Sequence, residues 1–190
     1  DQALMIMAYS DAYMLTGIDL FRETVNGIIK YVREELKSET GGFYSSQDSD
    51  SDGIEGKYYI WSRGELMEAV PNDMLDDFMK NMTYRVSSDT YIIVNGLLGT
   101  KEGWPEQCIK SLAKIRAKKN KPAVDKKVLV DWNGLMIAAL ARAHRATGNR
   151  EYLDLAVETA DRLTDGNTVY HSIVNSEPVV EGFLDDYANL

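Results

Sequence analysis

The sequence predicts a mainly α protein in which helical hairpins repeat and small β-hairpins sit along one rim. Three observations predict it. First, the chain repeats itself at an offset of 131: Leu4, Met5, Ile6, Ala8, Ala12, Thr16 and Gly17 recur as Leu135, Met136, Ile137, Ala139, Ala143, Thr147 and Gly148. Second, each copy joins a helix that is apolar nearly all round to an amphipathic one. Third, each pair is followed by a run bounded by turn residues and rich in strand formers. Repeated units of about 50 residues predict a stacked or closed α/α array, with its loops gathered on one rim.

In chain order, residues 3–16 form an inner helix, expected to be buried on most sides, which Thr16-Gly17 ends. Phe21, Val25, Ile28, Ile29, Val32 and Leu36 mark its amphipathic partner. Gly41-Gly42 opens an excursion that closes on the aromatic run Tyr58-Tyr59-Ile60-Trp61. Ser62-Arg63-Gly64-Glu65 is a capping box for a short helix that Pro71 stops. Met74, Leu75, Phe78, Met79 and Met82 mark a further helix, its methionines read as core filler. Tyr91-Ile92-Ile93-Val94 with Asn95-Gly96 predicts a strand and a turn. Pro105 opens a helix carrying Cys108, Ile109, Leu112 and Ile115.

The second inner helix follows Asp131-Trp132-Asn133-Gly134, and Tyr152, Leu155, Ala156, Thr159, Ala160 and Leu163 mark its partner. Asp165-Gly166-Asn167 is a turn, and residues 169–173 with Val179-Val180 form a hairpin. A third unit begins at Asp186. The expected divisions are a repeat unit 1–61, an insertion 62–130, a repeat unit 131–185 and the start of a hairpin at 186–190. Because the first helix starts at once and the last is cut short, the chain is expected to be a piece of something longer.

A net charge of −9 argues against general nucleic-acid binding. The charge is uneven: Lys110 to Lys127 carries +7, and the remainder −16. The basic run Lys118-Lys119-Asn120-Lys121 reads as a solvated loop. No apolar run reaches the roughly 18 residues of a membrane span, so no membrane partner is expected. The single Cys108 fits a reducing, cytoplasmic setting.

The excursion holds a candidate cation site. Asp48, Asp50, Asp52 and Glu55 crowd together, and alternation in an extended segment places the three aspartates on one face. Such a cluster repels itself without a cation or donors. The spacing matches the first half of an EF-hand loop but has Tyr59 where its last ligand should be. A looser Ca²⁺ or Mg²⁺ site and a solvated, Asp- and Ser-rich turn both remain open.

Three stretches together resemble a known family: Gly41-Gly42-Phe43-Tyr44-Ser45 continuing through Asp48, Asp50, Gly53, Glu55-Gly56-Lys57, Tyr59 and Trp61; Asp125-Lys126 with Trp132 to Leu140; and Gly182 with Leu184-Asp185-Asp186-Tyr187-Ala188. They are similar to signatures of the spermatogenesis-associated, thioredoxin-domain-containing protein family. The resemblance implies a fragment of an (α/α)₆ toroid of the six-hairpin glycosidase type, similar to N-acylglucosamine 2-epimerase and cellobiose 2-epimerase. It also implies a thioredoxin-like domain elsewhere in the full-length protein; this chain has no C-x-x-C. An incomplete toroid exposes apolar helix faces, so dimerisation of the chain is expected.

Glycoside hydrolysis needs two carboxyl groups and epimerisation an acid and a base. The candidate catalytic residues are Asp131, Asp185, Asp186 and His171, the last in the second hairpin. His144 reads as a satisfied helix residue. Tyr44, Trp61, Trp132, Asn133 and Lys57 are candidate substrate-binding residues, because aromatic faces beside amides and cations suit a sugar. Three functions stay open. One is a carbohydrate-active or carbohydrate-binding toroid, epimerase-like or glycoside hydrolase-like, taking a sugar or other small molecule. Another is a non-catalytic scaffold partnering the thioredoxin-like domain in redox or protein quality control. The third is a cation-binding module on Asp48–Glu55.

Overall fold

The computed structural model describes residues 1–93, 105–163 and 168–190. Val94 and the turns expected at Asn95-Gly96 and Asp165-Gly166-Asn167 lie outside the described residues. In chain order the elements are α1 (Gln2–Thr16), α2 (Asp19–Tyr31), β1 (Ser46–Gln47), β2 (Asp50–Ser51), β3 (Ile54–Glu55), β4 (Ile60–Ser62), α3 (Arg63–Ala69), α4 (Asn72–Met82), β5 (Thr83–Ser87), β6 (Thr90–Ile93), α5 (Glu106–Arg116), β7 (Val124–Asp125), β8 (Val128–Leu129), α6 (Val130–Thr147), α7 (Arg150–Leu163), β9 (Tyr170–Val174), β10 (Glu177–Glu181) and α8 (Leu184–Asn189). They divide into two units, Asp1–Gln47 with Val124–Leu190, and Asp48–Ala123. The chain leaves and rejoins the first unit through adjacent strands, with Ser46 paired antiparallel to Asp125 and Gln47 to Val124.

In the first unit the internal repeat holds at the ends of the inner helices. α1 ends at Gly17 (φ 68°) and α6 at Gly148 (φ 73°), both left-handed caps. The Thr16 hydroxyl donates to the Ala12 carbonyl at 2.7 Å, and that of Thr147 to Ala143 at 2.8 Å. Each threonine oxygen then accepts the N–H two residues on, Ile18 or Asn149. Ile6, Val25, Ile29, Ala139, Leu140, Ala143 and Ala156 join the core between the two hairpins, with Phe43 among them. Arg142 and Asp11, which the repeat makes equivalent, pair across α6 and α1 at 2.6 Å. His144 Nδ1 lies 2.9 Å from the Asn149 carbonyl, so it serves the helix end as expected.

Two expectations need correction. α1 is not buried all round: Leu4, Met5, Met14 and Leu15 are exposed, because its packing partners within the unit are α6 and α2. Trp132 and Asn133 do not precede α6 but sit in its first turn, since the helix already starts at Val130. α2 continues as one π-helical turn over Val32–Leu36, a departure that helical spacing does not signal. The strands β8, β9 and β10 form one antiparallel sheet, and both Asn175 and Ser176 have positive φ in its two-residue turn.

The second unit packs α3, α4 and α5 with the sheet β4-β6-β5 around Leu66, Phe78, Leu75 and Trp61. Ser62 and Glu65 form the expected capping box. Cys108 is buried and free on α5, as read from the sequence, whereas Ile109 is exposed. Strand β5 was not marked by the apolar pattern; β6 supplies its pairing. Lys119 is not part of a solvated loop. Its ammonium donates to the Ile60 carbonyl at 2.6 Å, lies 2.9 Å from Glu65 and sits 4.5 Å from the Trp61 ring centre.

Candidate functional site

The first unit gathers its candidate residues where α6 and α8 begin. Asp131 lies in the first turn of α6, Asp186 in the first turn of α8 and His171 on β9. Each offers an oxygen or ring nitrogen, and these three atoms lie within 4.8 Å of one another. Asp186 is fully buried and held from several sides. Its carboxylate accepts the Asp131 N–H at 3.1 Å and the Phe183 N–H at 2.7 Å. His171 Nδ1 stands 3.1 and 3.2 Å from its two oxygens. The imidazole also rests against Phe183, ring centres 5.0 Å apart. Asp131 Oδ1 is buried without a hydrogen-bond partner. The close approach of α8 to α6 depends on Gly134, where a side chain would collide with the Asn189 backbone. Asp185, the fourth catalytic candidate, is exposed and stands outside the group, because the helical turn rotates it away from its neighbour.

A cavity of about 540 Å³ opens in the same unit. Trp132, Tyr44, Tyr31, Ser45, Ser46 and Gln47 line it. Trp132 is 51% exposed, an aromatic face presented from a rigid helix turn. Asn133 also borders the cavity, but its side chain is engaged elsewhere. Its Oδ1 accepts the Phe43 N–H at 2.7 Å, and its Nδ2 donates to the Phe43 and Leu129 carbonyls at 3.0 and 2.8 Å. It is 3% exposed. Asn133 therefore locks the Gly41–Gln47 stretch to α6, and its reading as a sugar-recognition residue is corrected on that ground.

Trp61 and Lys57 belong to the other unit, where they border a second cavity of about 390 Å³. Trp61 is 3% exposed and serves the core, with the Lys119 ammonium against its ring. Lys57 pairs with Asp52 at 2.8 Å.

The acidic stretch does not gather its carboxylates. β2 and β3 are two residues each, and the turn at Asp52-Gly53, with φ of 53° and 70°, takes Asp52 out of the expected row. Asp48 accepts the Asp50 N–H, Asp50 accepts the Ser49 hydroxyl, and Glu55 stands across from Asp50. Asp52 accepts from Asn120 at 2.7 Å, and the Lys57 and Asn120 contacts hold its carboxyl below the usual range. Among the described residues, the group of three with metal-ligating spacing is Asp131, His171 and Asp186 instead. The sequence named each member of that trio as a catalytic candidate, but nothing in it announced their meeting. The part played by Lys119 had no local signal at all.

No family model matches the chain. The class these elements define is a mainly α protein of repeated helical hairpins with small antiparallel sheets. The chain is similar to spermatogenesis-associated protein 20 of Homo sapiens, 27% identical over 246 residues and covering 99% of this chain. The Rattus norvegicus protein of that name is likewise 27% identical, over 242 residues. The chain spans about a third of the length of these relatives, 31% in each case. Among solved structures, a sugar epimerase from a ruminal bacterium matches at 14% identity and TM-score 0.30, covering 99% of this chain and 50% of that one. A D-mannose isomerase matches at 16% and 0.30, covering 94% and 45%. Overlap at that level leaves the architecture to rest on the chain's own repeat.

Proposed function

We propose that this chain contributes a carbohydrate-binding mouth to a helical toroid, with the sugar seated in the cavity beside Trp132. The observation that carries the proposal is the cavity itself. Its volume falls within the range of small-molecule sites, and such sites combine apolar or aromatic walls with a few polar groups. Trp132 and Tyr44 supply the aromatic faces, and Ser46 and Gln47 add polar side chains to the lining. A scaffold without a ligand, the second reading, predicts a filled mouth, which the cavity disfavours.

Hydrolysis by paired carboxylates is the less favoured chemistry. It requires two carboxyl groups about 5 Å or more apart with the glycosidic bond between them. Asp186 is fully buried, and neither it nor Asp131 is among the residues lining the cavity. Binding suits the geometry better. Calorimetry of the intact protein against a panel of mono- and disaccharides tests the proposal. Binding that disappears in Trp132→Ala and in Tyr44→Ala, with both variants folded, supports it; absence of binding by every sugar rejects it.

A further inference from the structure

We propose that Asp131, His171 and Asp186 form a binding site for a divalent first-row transition cation such as Zn²⁺ or Mn²⁺. The site differs from the acidic stretch that the spacing of aspartates suggested, and it stands whether or not the cavity takes a sugar.

The geometry comes first. One ligand atom from each residue lies within 4.8 Å of the other two. A cation about 2.0–2.2 Å from each donor spans up to about 4.4 Å between opposite ligands, so small side-chain adjustments close the shell. The three donors come from three regular elements, α6, α8 and β9, which fixes them better than a loop would.

Electrostatics point the same way. Asp186 is fully buried, with a second carboxylate within reach. Two carboxylates in a desolvated site oppose each other unless positive charge joins them. Backbone N–H groups of Asp131 and Phe183 orient Asp186 but carry no net charge, and the His171 ring 3.1 Å away supplies charge only when protonated. Asp131 Oδ1 adds an independent sign: a buried oxygen with no donor is costly, and a cation bound to it removes the cost.

The donor set selects the ion. An imidazole nitrogen with two carboxylate oxygens suits Zn²⁺, Mn²⁺ or Fe²⁺, whereas Ca²⁺ and Mg²⁺ favour shells made of oxygen alone. Three protein ligands leave at least one position open to water or a ligand oxygen. Both carboxylates lie in the first turn of a helix. Asp131 and Asp186, 55 residues apart, meet where α6 and α8 begin, and β9 adds the histidine.

The test is calorimetric titration of chelator-treated intact protein with Zn²⁺ and with Mn²⁺, and with Ca²⁺ as the hard-cation control. The expected result is one equivalent of Zn²⁺ or Mn²⁺, bound more tightly than Ca²⁺. Binding should weaken at least about tenfold in Asp131→Asn and in His171→Ala, since even loss of a supporting partner costs tenfold or more. It should stay unchanged in an Asp48→Asn, Asp50→Asn double variant. Asp131→Asn preserves side-chain shape, so it decides the matter if His171→Ala does not fold. No binding, binding unchanged in Asp131→Asn, Ca²⁺ preferred, or binding lost in the double variant instead would each overturn the proposal. Metal binding without sugar binding would reject only the carbohydrate reading.

Discussion

Replacing Asn133 by alanine separates a structural clamp from a ligand contact. Asn133 satisfies both the N–H and the carbonyl of Phe43, a residue buried in the core between the two hairpins. The backbone bonds flanking Phe43 go to its neighbours, Gly42 and Tyr44, so they do not relieve it. Asn133→Ala leaves two buried backbone groups unpaired, each costing about 1–3 kcal/mol. The loss is therefore about 2–6 kcal/mol in total. In a chain of this size each kcal/mol lowers Tm by about 2–4 °C, so Tm should fall by at least about 4 °C. Asn133→Asp keeps the shape and the acceptor for Phe43 N–H but turns an oxygen towards the Phe43 and Leu129 carbonyls. It should be at least as damaging as alanine. Urea unfolding followed by circular dichroism, with thermal melts, measures both variants. An Asn133→Ala variant within about 0.5 kcal/mol of wild type, the ordinary range for surface changes, would refute the clamp and restore Asn133 as a recognition residue.

Other consequences follow from the repeat and from the second unit. Gly17→Ala and Gly148→Ala place a side chain at a left-handed cap, so each should cost about 1 kcal/mol, and nearly equally, in urea unfolding. A large difference between them would show that the two copies are not equivalent. Lys119→Ala removes the partner of Glu65 and a donor to the Ile60 carbonyl, at an expected cost of about 1–3 kcal/mol. Wild-type stability in that variant would return Lys119 to the solvated loop. Burial pushes the Glu65 carboxyl up, but the Ser62 N–H, Lys119 and the Ser62 hydroxyl outweigh it and hold the group below its ordinary 4.5. A depressed folded value means that its contribution is complete above about pH 4.5 and is lost as pH falls through the folded value. The stability difference between wild type and Glu65→Gln should therefore shrink below pH 4.5 and stay level above it. A difference that grows on acidification would contradict the sign.

Local patterns carried much of this structure. The Thr-Gly pairs and the Ser62–Glu65 box act through bonds within a few residues, so spacing alone marked them. What spacing could not carry was contact across long loops. Asn133 reaches Phe43 over 90 residues, Lys119 reaches Ile60 over 59, and Asp186 meets Asp131 over 55. Tyr44 and Trp132 were singled out as aromatic faces, and both line one cavity. Trp61 had the same appearance in sequence but is consumed by its own unit's core. Alternation put Asp48, Asp50 and Asp52 on one face only while the strand lasted, and a strand of two residues ends before the row is complete.

The most direct test of the carbohydrate reading is a crystal structure of the intact protein with the tightest-binding sugar from the panel. The prediction is a sugar ring stacked on the Trp132 indole, with its hydroxyls toward Ser46 and Tyr44. A sugar bound away from this cavity, or a cavity that stays filled with solvent at saturating sugar, would contradict it.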